Sequence, residues 1–332
     1  MLTRQLGSSP LHVTELSLGS WLTYAGGIDR RQSERCIAAA FDHGIRSFDT
    51  ANVYGFGASE KLLGETLASH PRDSYVLATK LFFPMPVKRF GLPMRKEEGG
   101  LSAAQIELQL NASLKRLRTG YVDIYYCHRY DSHTPLEETM AALTRAVQSG
   151  KVRYLGLSEW TPEQMDQAAA LAATGNYSPF AASQPQYSML IRKAEPGVFP
   201  AGLRHGMGQI VFSPLAQGVL SGKYKPGTPP PSNSRAAHKE MNRFMTTGGR
   251  RFRDDDLLAA VQRLTPLAAD HSLTLSQLAL AWVLHRPEVA SALIGATSPE
   301  QIAENAKASG VTLPDDALKR IDDILAPVVV NA

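Results

Sequence analysis

A closed α/β barrel built from eight strand–helix units is the fold predicted by the sequence, and three observations lead to it. Short runs rich in β-branched and aromatic residues alternate with longer amphipathic stretches from residue 15 onward, the pattern of βαβ units on a parallel sheet. The strand-like runs number eight, each with at least one helical stretch behind it. No G-x-G-x-x-G follows the first strand, so a doubly wound dinucleotide fold lacks its fingerprint. A chain of 332 residues could hold two average domains, but α/β barrels run to about 250 residues or more as one domain.

The units follow in order. ELSLGS reads as the first strand and RQSERCIAAAFDHG as its helix, with Gly44 suited to the C-terminus. IRSFD and then ASEKLLGETLASH form the second unit, YVLATK and SAAQIELQLNASLKRL the third. VDIYYCH and EETMAALTRAVQSG give the fourth, VRYLGLS and PEQMDQAAALAATG the fifth. FAASQ, QIVFS and ASALIG are the sixth, seventh and eighth strands. TPLE at 134–137, TPEQ at 161–164 and SPEQ at 298–301 each place Ser or Thr before a proline with Glu or Gln after it. All three predict capping boxes at short βα joints. Residues 1–14 predict a small hairpin over the barrel floor. Residues 84–101 and 224–253 predict long loops after the third and seventh strands, on the face where barrel active sites sit.

Composition narrows the function. Hydrophobic residues make up 43% and charged residues 20%, which excludes global disorder. No apolar run approaches the roughly 20 residues that cross a bilayer, and MLTRQLGSSP lacks the apolar middle of a secretory signal. Cys36 and Cys127 cannot build a disulfide framework, and no CxxC pair suggests zinc. A soluble cytoplasmic protein without membrane insertion is expected. The net charge is +4, and the densest basic run, GGRRFR, meets DDD at once. No stripe for nucleic acid results; an ordinary, mildly basic surface explains the excess better than an anionic ligand does.

The chemistry sits at strand ends. The second strand ends in Asp49, the third in Lys80 and the fourth in His128, while Tyr54 lies on the loop leaving the second. A phenol titrates near 10, too high for easy proton donation at neutral pH. A nearby ammonium lowers that value, and a carboxylate can hold the ammonium in place. Taken singly, Asp49 reads equally as a helix cap, Lys80 as a rim ion-pair partner and Tyr54 as a loop aromatic. His128 with His133 reads as a chance pair rather than metal ligands. Converging at one barrel mouth, the four form a proton-transfer constellation.

These residues carry a resemblance. GIRSFDTANVYGFGASEKLLGETL, YVLATKL and YVDIYYCHRYDSHTPLEET are similar to the aspartate–tyrosine, lysine and histidine motifs of the aldo-keto reductase superfamily. LGSWLTYAGG, QPQYSML, SPLAQGVLSGKY and LIGATSPEQIAEN resemble the branch that holds potassium-channel β subunits and bacterial glyceraldehyde-3-phosphate reductases. The likeness covers nearly the whole chain and implies one (β/α)8 TIM barrel domain over residues 1–332. It implies NADPH as cofactor, no metal, and a catalytic tetrad of Asp49, Tyr54, Lys80 and His128. In the implied mechanism Tyr54 donates a proton, Lys80 lowers its pKa, Asp49 orients Lys80 and His128 bonds the carbonyl oxygen.

The same matches imply cofactor contacts. Ser20 and Trp21 border the site, with Asp49; Ser158 and Gln184 hold the carboxamide; Phe212 stacks on the nicotinamide. Ser213, Leu215, Ala216, Gln217 and Lys223 track the pyrophosphate. Gly295, Thr297, Gln301, Glu304 and Asn305 surround the adenosine end, beside a helix N-terminus. Arg235 matches a reader of the 2′-phosphate, although a solvated loop arginine is the plainer alternative. Trp21, Tyr54, Phe82, Phe83 and His128 would wall the pocket for a small carbonyl substrate. Glu159 departs from the branch, which carries arginine there. Two functions stay open: a reductase of aldehydes or ketones, or a nucleotide-holding regulatory subunit with little turnover. Tetramers occur in the branch, but nothing in the chain demands a homo-oligomer.

Overall fold

The computed structural model describes residues 1–24, 27–85, 99–238, 241–247, 250–251 and 254–331. Strands β1 (Thr3–Gln5) and β2 (His12–Thr14) pair antiparallel as the expected hairpin. Then come β3 (Leu16–Gly19), α1 (Arg30–Asp42), β4 (Ser47–Asp49), α2 (Ala58–Leu67), β5 (Val76–Leu81) and α3 (Ala103–Leu117). Next are β6 (Val122–Cys127), α4 (Leu136–Gln148), β7 (Val152–Ser158), α5 (Pro162–Gly175), β8 (Phe180–Gln184), α6 (Val198–Arg204) and β9 (Gly208–Phe212). A two-stranded ladder, β10 (Thr246–Thr247) and β11 (Arg250–Arg251), precedes α7 (Asp255–Asp270), α8 (Leu275–Leu284), β12 (Val289–Ile294), α9 (Pro299–Ala306) and α10 (Asp315–Leu325). Parallel pairing runs from β3 through β9 to β12 and back to β3, closing the barrel with eight strands. All eight predicted barrel strands are present.

Alternation along the strands separates two cores. Outward residues such as Phe48, Leu77, Leu81, Tyr125, Cys127, Leu155 and Leu157 pack beneath the helices. Inward residues, among them Ala78, Ile124, Tyr126, Ala182 and Ile210, fill the barrel with Leu6 and Val13 of the hairpin. The hairpin therefore plugs the floor. Its turn fits because Gly7 has φ +56° and a Cβ there would lie 2.1 Å from the Gly206 oxygen. Gly156 makes room in the same way, since its Cβ would lie 2.3 Å from the Tyr126 ring.

The joints depart from expectation in two places. TPEQ forms the predicted box, with Thr161 and Gln164 bonding reciprocally. At TPLE, however, the Thr134 hydroxyl donates to Asp131 at 2.7 Å, and α4 starts without a side-chain cap. At SPEQ, Ser298 makes no cap bond; Gln301 Oε1 instead accepts from the Thr297 N–H at 2.9 Å. A box not predicted, Thr274 with Gln277, opens α8. The segment 224–253 is less loop-like than expected: it contains a 3-10 turn at Met241–Phe244 and the β10–β11 ladder. Its residues 239–240, 248–249 and 252–253, and residues 86–98 of the other predicted loop, lie outside the described residues. Among the described residues, no helix is long and apolar enough to cross a membrane.

Candidate active site

Strand parity aims the site residues. On β5 the inward set is Val76 and Ala78, so Lys80 is the next inward position. On β6, Ile124 and Tyr126 point inward, and His128 continues that row just past the strand. Ser47 and Asp49 share the inner parity of β4, Tyr154 and Ser158 that of β7, and Ala182 and Gln184 that of β8. All the predicted polar strand ends therefore converge at the carboxyl end of one barrel.

Asp49, Tyr54, Lys80 and His128 come together. Lys80 Nζ donates to Asp49 Oδ1, to the Thr50 carbonyl at 2.9 Å and to Tyr54 Oη at 3.4 Å. The Tyr54 ring meets His128 edge-on, with centroids 5.7 Å apart. Lys80 is 1% exposed and Asp49 7% at the side chain, so each charge depends on the other for stabilisation. Gln184 adds a link not foreseen from sequence: its Nε2 donates to Asp49 Oδ2 at 3.0 Å. Ser158 braces the same corner, donating to the Gln184 carbonyl at 2.9 Å.

The electrostatics revise one expectation. Burial pushes the Tyr54 phenol above its ordinary value; Lys80 pulls it down but does not prevail, and Asp49 adds to the rise. The Tyr54 phenol is therefore protonated near neutral pH, with the Lys80 ammonium beside it favouring the phenolate form without prevailing over burial. Burial also works against the Lys80 ammonium, yet Asp49 foremost, with Tyr54, holds it above the usual lysine range. His128 is driven well below the usual range by burial, then by the charges of Lys80 and Arg129. Its imidazole is neutral near pH 7, able to donate one hydrogen bond.

A stability prediction follows. The unfolded chain takes up a proton on this histidine below about pH 6.5, whereas the folded chain does not. Folding stability should fall as pH drops below that point, by up to about 1.4 kcal/mol per pH unit from this group. Denaturant melts between pH 7.5 and 5 should show a shallower acid slope for His128→Asn than for the parent; identical slopes would remove His128 from the effect.

Of the predicted cofactor residues, Ser20, Ser158, Gln184 and Phe212 lie at or next to the carboxyl ends of barrel strands. The Ser20 N–H donates to the Asp49 carbonyl at 3.0 Å. Phe212 tops the interior core at the end of β9. Beyond it, Ser213, Ala216 and Gln217 all have positive φ (57°, 45° and 60°), and Gln217 Nε2 donates to Ser213 Oγ at 2.9 Å. Three non-glycine residues in the left-handed region within five positions make this a strained turn; Leu215, between them, packs against the outer core. Lys223 and Arg235 lie close enough for the Arg235 charge to act on Lys223. Partial desolvation and then Arg235 lower the Lys223 ammonium, although the residue is exposed. Burial lowers Arg235 too, with its guanidinium 5.8 Å from the Trp21 ring centroid.

Gly295 is exposed at the end of β12 beside Thr23. Thr297 and Gln301 bond each other, and Glu304 accepts from Thr274 Oγ1 at 2.9 Å, a structural tie to α8. Asn305 is buried. Of the two pocket phenylalanines, Phe83 meets His128 edge-on with centroids 5.0 Å apart, whereas Phe82 packs against the outer core. Glu159, at φ +57°, accepts from the Gln186 N–H at 2.7 Å and so joins the ends of β7 and β8.

These residues fit a dinucleotide phosphate. Lys223 and Arg235 form no ion pair with a carboxylate among the described residues, an arrangement that favours a polyanion. Ser20 Oγ and Gln217 Oε1 are buried without a hydrogen-bond partner among them.

Comparison with known proteins identifies the family. Residues 15–326 match the aldo/keto reductase family. The chain belongs to that family. A Schizosaccharomyces pombe protein assigned as a voltage-gated potassium channel β subunit is 39% identical over 97% of this chain and 92% of its own length. Proteins given the corresponding assignment in Arabidopsis thaliana and in Oryza sativa subsp. japonica are each 36% identical, over 98% and 94% of this chain and 97% and 92% of their own lengths. Membership of the aldo/keto reductase family supports an oxidoreductase that uses a nicotinamide nucleotide.

Proposed function

We propose that this aldo/keto reductase is an NADPH-dependent reductase of aldehydes or ketones, with Tyr54 as general acid. The observation that carries the reading is the buried row in which Asp49 holds Lys80 and Lys80 reaches Tyr54 Oη at 3.4 Å beside neutral His128. Ser158, Gln184 and Phe212 would hold the nicotinamide end, the turn at 213–217 with Lys223 the pyrophosphate, and Arg235 the 2′-phosphate. A nucleotide bound there supplies the hydride that reduces the carbonyl carbon.

The chain's own residues handle the proton. His128 donates a hydrogen bond to the carbonyl oxygen and polarises it. Tyr54 Oη transfers its proton to that oxygen as negative charge develops, and Lys80 stabilises the resulting phenolate. Asp49, held by Gln184 at its second oxygen, keeps Lys80 charged and aimed.

Nucleotide choice provides a test. A charge-assisted hydrogen bond is worth about 1.5–3 kcal/mol, so NADPH should bind at least about tenfold more tightly than NADH. Arg235→Ala should erase much of that gap by weakening NADPH alone, as read by fluorescence titration. Equal dissociation constants in the parent protein would remove the 2′-phosphate role. NADPH consumption over a panel of aldehydes and ketones tests the activity itself.

The names of the relatives favour a second reading, a regulatory subunit that retains the nucleotide and turns over little. The intact constellation of Asp49, Lys80, Tyr54 and His128 weighs against it, because a complete proton-transfer site suits turnover.

A further inference from the structure

Arg129 follows His128 directly, and internal contacts use little of it. Its Nη1 donates to the His128 carbonyl at 2.6 Å, which leaves most of the guanidinium fork unused. The guanidinium carbon lies 5.7 Å from the Phe83 ring centroid. Phe83 in turn meets His128 at 5.0 Å, and His128 meets Tyr54 at 5.7 Å. Tyr54, His128, Phe83 and Arg129 are thus linked by successive contacts, and Arg129 is partly exposed.

Among the described residues its charge meets no carboxylate. Arg72, Arg116 and Arg153 each reach a carboxylate, whereas Arg129 reaches none among the described residues. The acid two positions on, Asp131, is occupied by the Leu101 and His133 N–H groups and by the Thr134 hydroxyl, at 2.8, 3.0 and 2.7 Å. The Arg129 charge is nonetheless felt at the centre, where it disfavours protonation of His128 and favours the Tyr54 phenolate.

We propose that Arg129 binds substrate, selecting carbonyl compounds that carry a carboxylate or phosphate a few bonds from the carbonyl. The proposal rests on the reductase reading above. With the carbonyl oxygen at Tyr54 and His128, the middle of such a molecule lies along the Phe83 ring and its anion reaches the guanidinium. A guanidinium offers paired donors that match either anion, and an apolar wall with one charged anchor is the usual make-up of a small-molecule site.

Paired substrates test this. In the parent protein, kcat/KM for 4-carboxybenzaldehyde should exceed that for methyl 4-formylbenzoate by at least about tenfold, the gain from one charge-assisted contact. Arg129→Gln should bring that ratio close to one, and Arg129→Lys should restore part of it, because the charge returns without the fork. Running 4-formylphenyl phosphate alongside shows which anion depends more on Arg129. A parent ratio near one, or a ratio unchanged in Arg129→Gln, overturns the proposal. Calorimetry on the nucleotide-loaded parent gives a reading that needs neither turnover nor a variant. There 4-carbamoylbenzoate should bind about tenfold more tightly than terephthalamide, and equal affinities would overturn the assignment. Tighter carboxylate binding with no aldehyde reduced would instead sink the reductase reading and leave Arg129 as an anion-binding residue.

Discussion

Tyr54→Phe should lower turnover by about 10² to 10⁴, the usual cost of losing a general acid, and should leave NADPH affinity nearly unchanged. The substitution keeps the ring that packs edge-on against His128 at 5.7 Å and removes only the hydroxyl that Lys80 contacts. Because burial holds the phenol above its ordinary value, the parent carries the proton throughout the neutral range. A purified variant that retained most of its activity would show that the proton comes from elsewhere.

Lys80→Met should be the most destabilising change in the site. Asp49 would keep the Gln184 bond at 3.0 Å but lose its counter-charge while buried. Removing one partner of a buried ion pair costs about 3–5 kcal/mol. Adding Asp49→Asn to Lys80→Met should recover a large part of that loss, since the unpaired charge is then gone and the change is not additive. Neither variant should support turnover, as the phenolate would have no cation beside it. Denaturant melts of the parent, Lys80→Met, Asp49→Asn and the double variant check the cycle; a Lys80→Met variant as stable as the parent would mean that the pair contributes nothing.

Much of the fold could be read from the sequence because a parallel barrel strand is buried on both faces and ends abruptly in polarity. FDT, ATKL and YYCH announce their charged ends, and strand parity then carries Asp49, Lys80 and His128 to one mouth. Contacts that depend on barrel closure could not be read in this way. Gln184 reaches Asp49 across 135 positions of sequence, and no local pattern marks it. Arg129 was hidden differently, beside a residue with a stronger signal. The capping motifs misled for a local reason: Asp131 captures the Thr134 hydroxyl at TPLE, whereas Thr274 and Gln277 form a box without any proline to announce it. The raised Tyr54 phenol reflects the depth of burial, which residue types alone do not give.

The most direct measurement loads the protein with NADPH, mixes it with the carbonyl panel, and follows nucleotide oxidation through the first turnover and into the steady state with excess NADPH. A working Asp49–Lys80–Tyr54–His128 site predicts oxidation that continues well beyond one equivalent of bound nucleotide, with a first turnover that slows sharply in Tyr54→Phe. A parent protein that oxidised a single equivalent and then stalled on every carbonyl would contradict it.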